Sequence, residues 1–307
     1  MLSVKEPLDL ECRRELQVLV QGKILFDVAM GPHTTFGVGG PADVWIEPEN
    51  ESDLARVLAF CEQRGIARYV IGQGTNLLVK DGGIRGIVLR LRSPFFRSFT
   101  VEGIRVTAGT GLSNTKFLEA LKSAELAGME FICGIPGGVG GGVVMNAGAL
   151  GGCYEDRLAE IRVMDSTGKV RRMGRDALQF EYRRLRNLGD AIVLSATFDL
   201  AKDARDRIAA RAAEMLEIRN ATQPKGSNPG CVFKNPVEQS AGKIIDTLGL
   251  KGLRVGGACV STLHGNFILN DRKASSSHVL ELIEKIQAEV LARMGIHLET
   301  EVKILGD

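Results

Sequence analysis

Three glycine clusters punctuate the chain: Gly37-Val38-Gly39-Gly40, Gly72-Gln73-Gly74-Thr75-Asn76, and a run from Gly134 to Gly142 that leads into Asn146-Ala147-Gly148-Ala149. Glycine lets successive backbone N–H groups converge on an anion with no side chain in the way, which is what a bound pyrophosphate requires. No complete GxGxxG and no GxxxxGK[ST] occurs, which argues against a P-loop hydrolase and a standard dinucleotide fold. A single GxG usually marks a tight turn, but three clusters, one of them this long, exceed what turns need. A second set of residues lies outside the glycines: Tyr182-Arg183, the segment 230–236 (GCVFKNP) and the segment 299–303 (ETEVK). An arginine, a proton donor and a carboxylate can together stabilise and protonate an enolate. Spacing alone does not unite them, since a Tyr-Arg pair is normally a surface feature and a terminal-strand Glu normally faces solvent.

The composition fits such a role. Of 307 residues, 37 are glycine, about 12% against a usual level of about 7%. Aromatics make up only 5%, so backbone groups carry much of any ligand binding. Lys+Arg 39 against Asp+Glu 37 gives a net charge of +2, without the basic excess of a dedicated nucleic-acid binder. No apolar stretch approaches the ~20 residues of a membrane span, and Met1 to Glu15 is charged early, unlike a secretory signal. The six cysteines, at 12, 61, 133, 153, 231 and 259, form no CxxC. They read as reduced thiols without a metal, all but Cys231 as packing residues, in a cytoplasmic protein with no membrane contact and no obligate protein partner.

The elements that must position these residues alternate at first. Asp43–Glu47 reads as a strand, and Ser52 is placed to cap a helix with stripe Leu54, Val57, Leu58 and Cys61, stopped by Gly65. Arg68–Ile71 and Gly86–Arg90 follow as strands, a βαβ rhythm. Beyond Thr100 come a strand at Ile104–Ala108, a helix capped by Ser113, and strands at Leu158–Asp165, Lys169–Met173 and Ala191–Leu200. Runs of strands with few helices mark an α+β unit. Asp203–Arg219 reads as an amphipathic helix with Ile208, Met215, Leu216 and Ile218 inward. The last stretch predicts a helix near Ser240–Leu248, strands Val255–Val260 and Asn266–Leu269, a helix Ser277–Met294 stopped by Gly295, and a strand Glu299–Leu305. The stripe of that long helix is Val279, Leu282, Ile283, Ile286, Val290 and Leu291. The fold class is α+β with mixed α/β units.

The segments HTTFGVGGPAD (33–43), IGQGTNLLV (71–79), GIPGGVGGGVVMNAGA (134–149), FEYR (180–183), IRNATQP (218–224), GCVFKNP (230–236), AGKIIDTLGLKG (241–252), STLHGNFILN (261–270) and LETEVKILG (298–306) fall in one order over nearly the whole chain. In that order they resemble the UDP-N-acetylenolpyruvoylglucosamine reductase family, of the shorter (type II) class because FKNP passes directly to SAGKIIDTLGLKG. The resemblance implies an FAD-binding fold of the vanillyl-alcohol oxidase type plus a C-terminal substrate-binding α/β domain. It divides the chain into an FAD subdomain at 1–91, joined by the terminal strand 298–307, a second FAD subdomain at 92–202, and a substrate domain at 203–297. It implies non-covalent FAD, with NADPH as co-substrate. The cofactor residues it implies are Gly72, Gly74, Thr75, Asn76, Leu77, Gly111, Gly134, Pro136, Gly137, Val139, Gly140, Gly141, Asn146, Ala147 and Arg219. His33, in HTTFGVGG, does not match a position that the family uses for a covalent flavin bond.

The reaction so implied belongs to peptidoglycan precursor synthesis. Hydride passes from NADPH to flavin N5 and then to the vinyl carbon of a UDP-sugar enolpyruvyl ether, giving UDP-N-acetylmuramate. Arg183 corresponds to the arginine that meets the substrate carboxylate, and Glu301 to the acid that steadies the developing enol. Lys234 and Asn235, which adjoin the donor, and Lys225, in the loop before it, are candidates to bind the phosphates or the sugar, and Tyr182 to cover the pocket. Three departures from the family pattern stand out. Cys231 replaces the usual proton-donating serine; a free thiol has a pKa of about 8.5, far below an alcohol's, so it gives up a proton more readily. Ser227 lies upstream, but the FKNP spacing selects Cys231. The sequence YRRL departs from the usual small polar residue after YR, and Lys303 stands where arginine is common, keeping charge but losing the planar fork. Two other readings are an alcohol or aldonolactone oxidase of the same flavin fold, and a non-catalytic nucleotide-sugar-binding flavoprotein.

Overall fold

A computed structural model describes residues 8–237 and 239–307. The start of the segment read as lacking a secretory signal, residues 1–7, lies outside the described residues. The chain packs into two compact units. The first comprises Met1–Phe26, Val44–Gln73 and Gly86–Arg219, the second Asp27–Asp43, Gly74–Arg85 and Asn220–Asp307.

The first unit has two cores. One is built on a four-stranded sheet in the order Lys23–Ala29, Pro41–Glu47, Ile84–Leu89, Arg68–Val70. Helices α1 (Leu10–Leu19) and α2 (Glu51–Arg64) pack Leu16, Leu54, Val57, Leu58 and Cys61 against Val44, Ile46, Ile87 and Leu89. Gly65 ends α2 in the left-handed conformation expected of it. The cap at the other end is Asn50, whose side chain accepts the Asp53 N–H at 3.0 Å; the expected cap, Ser52, lies inside the helix. Burial of Asp53 tends to raise its pKa. Hydrogen bonds from the Gln21, Glu49 and Gly22 N–H groups, with Arg56 beside it, outweigh that and hold the carboxylate below its ordinary range.

The second core lies under an antiparallel five-stranded sheet, ordered Val170–Gly174, Leu158–Met164, Ile192–Asp199, Arg105–Gly109, Phe99–Glu102. It is covered by α3 (Asn114–Ser123), the short α4 (Val139–Val144) and α5 (Arg205–Thr222). Ser113 caps α3 as expected. Helix α5, expected to open the substrate domain, instead contributes Ala212 to this core, with Met215 packed against it. Its buried face also differs from expectation: Leu216 and Ile218 are 38% and 43% exposed. Helical spacing puts 208, 212, 215 and 219 on one side and turns 216 and 218 away.

The second unit has one core, gathered around α6 (Ala241–Thr247) and α7 (Ser276–Met294). The predicted stripe of α7 is buried except for Leu291, and Gly295 stops the helix in the left-handed conformation. The expected strand 255–260 is two strands, Arg254–Val255 and Ala258–Val260, folded into a hairpin because Gly256 takes φ +51. Ile268–Asn270 adds the third strand. Of the expected strand 299–305 only Lys303–Leu305 is regular, pairing in parallel with Leu77–Val79; Thr300 makes a single bridge to Phe233.

Candidate functional site

In the first unit the long glycine run is a loop followed by α4, and a buried asparagine holds it from behind. Asn114 donates its side-chain N–H to Ile135 O at 3.1 Å and its backbone N–H to Gly137 O at 3.0 Å, while its Oδ1 accepts the Tyr154 hydroxyl at 2.7 Å. Tyr154 is fully buried and packs edge-on to Phe131 and Phe198; burial raises its pKa, so it stays a neutral donor. From the 72–76 turn, Gln73 donates its side-chain N–H to Gly137 O at 3.0 Å. None of Gln73, Asn114 or Tyr154 stood out as a site residue in the sequence, because each acts by holding backbone.

The glycines of this unit fall into two groups. A side chain at Gly140 would strike Thr110, one at Gly142 the Tyr154 ring, and one at Gly111 the Leu91 carbonyl. These glycines serve the protein's own packing, as does fully buried Val139. By contrast, a Cβ built at Gly72 or Gly141 meets nothing within 4 Å, and neither residue has a positive φ. Neither packing nor backbone geometry demands glycine there, and both residues are exposed. The N–H groups of Gly137 and Gly138 have no acceptor among the described residues. Successive free N–H donors in a glycine loop are what a bound diphosphate requires, and this run offers two, at Gly137 and Gly138, in the segment that leads to Gly141. Pro136 is exposed beside it. Gly134, at φ +72, lies against Arg219: a Cβ there would sit 3.1 Å from the Arg219 Nε. Asn146 is buried at φ +41 with its Oδ1 accepting the Glu155 N–H, and the Ala147 N–H donates to Gly142 O; both brace the end of the run.

Arg183 belongs to the same unit. It closes a hairpin between Phe180–Glu181 and Arg184–Leu185 at φ +61, a conformation that costs a non-glycine residue on the order of 1–3 kcal/mol. Its guanidinium lies 5.1 Å from the centre of the exposed Tyr182 ring and donates to Gly148 O at 3.1 Å. The arginine is thereby tied to the far end of the glycine run.

The second unit brings together the rest. The 231–234 segment lies antiparallel to 299–302: the Glu301 N–H donates to Val232 O at 2.7 Å and the Lys234 N–H to Glu299 O at 2.8 Å. Asn76 joins the same patch, donating its side-chain N–H to Glu301 O at 3.1 Å and accepting the Lys303 N–H at its own carbonyl. Cys231 and Glu301 thus occupy neighbouring positions on paired segments, each partly buried. Lys234 pairs with Glu299 at 2.5 Å. Asn235 uses its Oδ1 to receive the Ala241 N–H at the start of α6, a structural duty beside any substrate contact. Gly74, at φ +67, would strike the His33 carbonyl with any side chain, Thr75 is partly buried, and Leu77 is buried in the strand paired with Lys303–Leu305. Lys225 is exposed in the loop after α5.

The chain is similar to known proteins in sequence and in fold. Residues 223–305 match the C-terminal domain family of UDP-N-acetylenolpyruvoylglucosamine reductase, and residues 42–174 match an FAD-binding domain family. The UDP-N-acetylenolpyruvoylglucosamine reductase of Geobacter metallireducens is 43% identical over 97% of this chain and 99% of its own length. That of Clostridioides difficile is 38% identical over 95% and 96%. The crystal structure of the UDP-N-acetylenolpyruvylglucosamine reductase from Thermus caldophilus superposes with a TM-score of 0.80 at 34% identity, covering 93% of this chain and 99% of that one. A berberine bridge enzyme, with a TM-score of 0.50 at 13% identity over 65% of this chain and 45% of its own, shares the fold alone. The fold is the FAD-binding fold of the vanillyl-alcohol oxidase type with a C-terminal domain.

Proposed function

Because the chain belongs to the UDP-N-acetylenolpyruvoylglucosamine reductase family, we propose a residue-by-residue division of labour for that family's reaction. The protein is an FAD-dependent oxidoreductase that spends NADPH to reduce the enolpyruvyl ether of a UDP-sugar to a lactyl ether, making UDP-N-acetylmuramate for peptidoglycan. FAD, when bound, would supply the two-electron chemistry that links NADPH oxidation to reduction of the enolpyruvyl group. We place the reaction in the cytoplasm, where NADPH is regenerated, and assign it no obligate protein partner.

The residues of this chain do the rest. Gly72 and Gly141 leave room for the pyrophosphate, and the N–H groups of Gly137 and Gly138 bind it. Arg219, lying along Gly134, adds positive charge beside the flavin. Arg183 offers its planar fork to the substrate carboxylate and draws negative charge onto it as electron density leaves the double bond. Its strained φ and its bond to Gly148 O support this role, because both fix the guanidinium before substrate arrives. Glu301, its backbone held at N–H by Val232 and at C=O by Asn76, hydrogen-bonds the developing enol(ate) and helps to keep it in place. Cys231 then protonates the carbon that bears the ether oxygen. Lys234 and Lys225 meet the diphosphate of the UDP-sugar, Asn235 hydrogen-bonds it with its remaining amide N–H, and Tyr182 covers it. Thr75, Asn76 and the 203–297 segment are assigned accordingly, the first two to cofactor and the last mainly to substrate.

The observation that carries the cofactor half of this reading is the glycine run itself, with unpaired N–H donors at Gly137 and Gly138 and no packing need for glycine at Gly141. The test of the whole is an anaerobic two-step reaction. NADPH is expected to bleach the bound flavin, and the enolpyruvyl UDP-sugar to restore its colour with formation of the lactyl ether. Bleached flavin that only oxygen restores would point to an oxidase instead.

A further inference from the structure

Asn266 lies in the STLHGNFILN segment, to which neither the sequence nor the reaction assigns a task. It is 2% exposed. Its carbonyl accepts the Val232 N–H at 2.9 Å. Its side chain then continues what a neighbouring strand would do: Oδ1 accepts the Phe233 N–H at 2.8 Å and Nδ2 donates to Phe233 O at 2.8 Å. A carboxamide, like a peptide unit, offers a donor and an acceptor side by side. The 231–234 segment therefore has Asn266 on one edge and 299–301 on the other, through the Glu301 and Lys234 N–H bonds. Phe233 is 1% exposed, so no water is at hand to replace these partners. Asn266 is itself fixed: its N–H donates to His264 Nδ1 at 3.1 Å. Burial, then the charge of Lys251, lowers the His264 pKa and keeps that nitrogen an acceptor.

We infer that Asn266 is a positioning residue for the Cys231 thiol, its carboxamide locking the 231–234 backbone so that the proton donor is delivered at a fixed point. This rests on Cys231 being the donor. A misplacement of about 1 Å in a reacting group slows a step by about 100-fold, and the effect belongs to one half of the reaction only. Reduction of flavin by NADPH needs no proton from Cys231, whereas oxidation by the enolpyruvyl sugar does.

The test measures both half-reactions by stopped flow in Asn266→Asp, Cys231→Ala and the double variant of the full-length flavoprotein. Asn266→Asp keeps the size and the acceptor but replaces the amide donor to Phe233 O with a carboxyl group, which loses that donor on ionisation. The expected result is reduction by NADPH within about 3-fold of the parent, oxidation by the sugar slowed by about 100-fold, and no further slowing when Asn266→Asp is added to Cys231→Ala, as coupled residues behave. Equal slowing of both half-reactions, or slowing that multiplies in the Cys231→Ala background, would show a merely structural role and overturn the inference. An unimpaired Cys231→Ala variant would instead overturn the donor assignment beneath it. Should Asn266→Asp not fold, Asn266→Ser, which keeps one hydrogen-bonding group without charge, carries the same comparison.

Discussion

Adjacent glycines in α4 predict opposite outcomes for the same one-carbon change. At Gly142 a methyl group would run into the Tyr154 ring, which is fully buried, hydrogen-bonded to Asn114 at 2.7 Å and wedged against Phe131 and Phe198. Overpacking of this kind costs about 1–3 kcal/mol, and displacing the hydroxyl from Asn114 costs about 1–3 kcal/mol more. The gain from replacing a helical glycine returns only about 0.5–1 kcal/mol. Gly142→Ala is therefore expected to destabilise the protein by roughly 2–4 kcal/mol. At Gly141 the methyl meets no protein atom within 4 Å, so Gly141→Ala is expected to stabilise the flavin-free protein by about 0.5–1 kcal/mol. It fills the space assigned to the pyrophosphate, and a clash of about 1–3 kcal/mol there weakens FAD binding by roughly 5- to 150-fold. Chemical denaturation of the flavin-free protein and titration by flavin fluorescence read the two effects separately. Wild-type FAD affinity in Gly141→Ala, or destabilisation equal to that of Gly142→Ala, would refute the division of the glycines into packing and ligand positions.

Further outcomes follow from individual side chains. Tyr154→Phe leaves buried Asn114 Oδ1 without its donor and is expected to cost about 1–3 kcal/mol and to loosen FAD binding, measured by the same denaturation and titration. Asp53 is held below its ordinary pKa in the folded state, so its contribution is complete above the ordinary carboxylate range and is lost as pH falls through the lower folded value. Asp53→Asn is accordingly expected to lose about 2–4 kcal/mol at neutral pH and to show a shallower loss of stability on acidification, seen in denaturation midpoints between neutral and acidic buffer. Arg183→Lys keeps the charge but not the fork, and is expected to slow oxidation by the sugar by about 10- to 100-fold with flavin absorbance unchanged; an equal loss in the NADPH step would place Arg183 elsewhere.

Much of this architecture was legible because strong local signals agreed with packing. Gly65 and Gly295 mark helix ends, Ser113 a helix start, and the stripe from Val279 to Val290 a buried face. The signal failed where tertiary context decided. Helix α1 and the strand Lys23–Ala29 carry mixed polar and apolar residues, with Val18 90% exposed, so no clear period announces them. Gly256, at positive φ, broke one expected strand into a hairpin; here the Gly256-Gly257 pair is itself a two-residue hairpin signal that outweighs the apolar run around it. The motifs pointed to the residues proposed to bear chemistry, yet not to those that hold the backbone around them. Gln73, Asn114 and Asn266 act on carbonyl and N–H groups 21 to 64 residues away, and a long-range bond to backbone leaves no spacing to read.

The proposed role of Cys231 as proton donor is the feature on which the reaction scheme leans most, and the pH dependence of sugar-driven flavin oxidation tests it directly. A thiol donor loses its proton in mildly alkaline solution and an alcohol does not. The oxidative half-reaction of the parent protein is therefore expected to slow as pH rises, that of Cys231→Ser to stay level over the same range, and that of Cys231→Ala to be slow throughout. The same alkaline decline in all three proteins, or an undiminished rate in Cys231→Ala, would contradict protonation by this thiol.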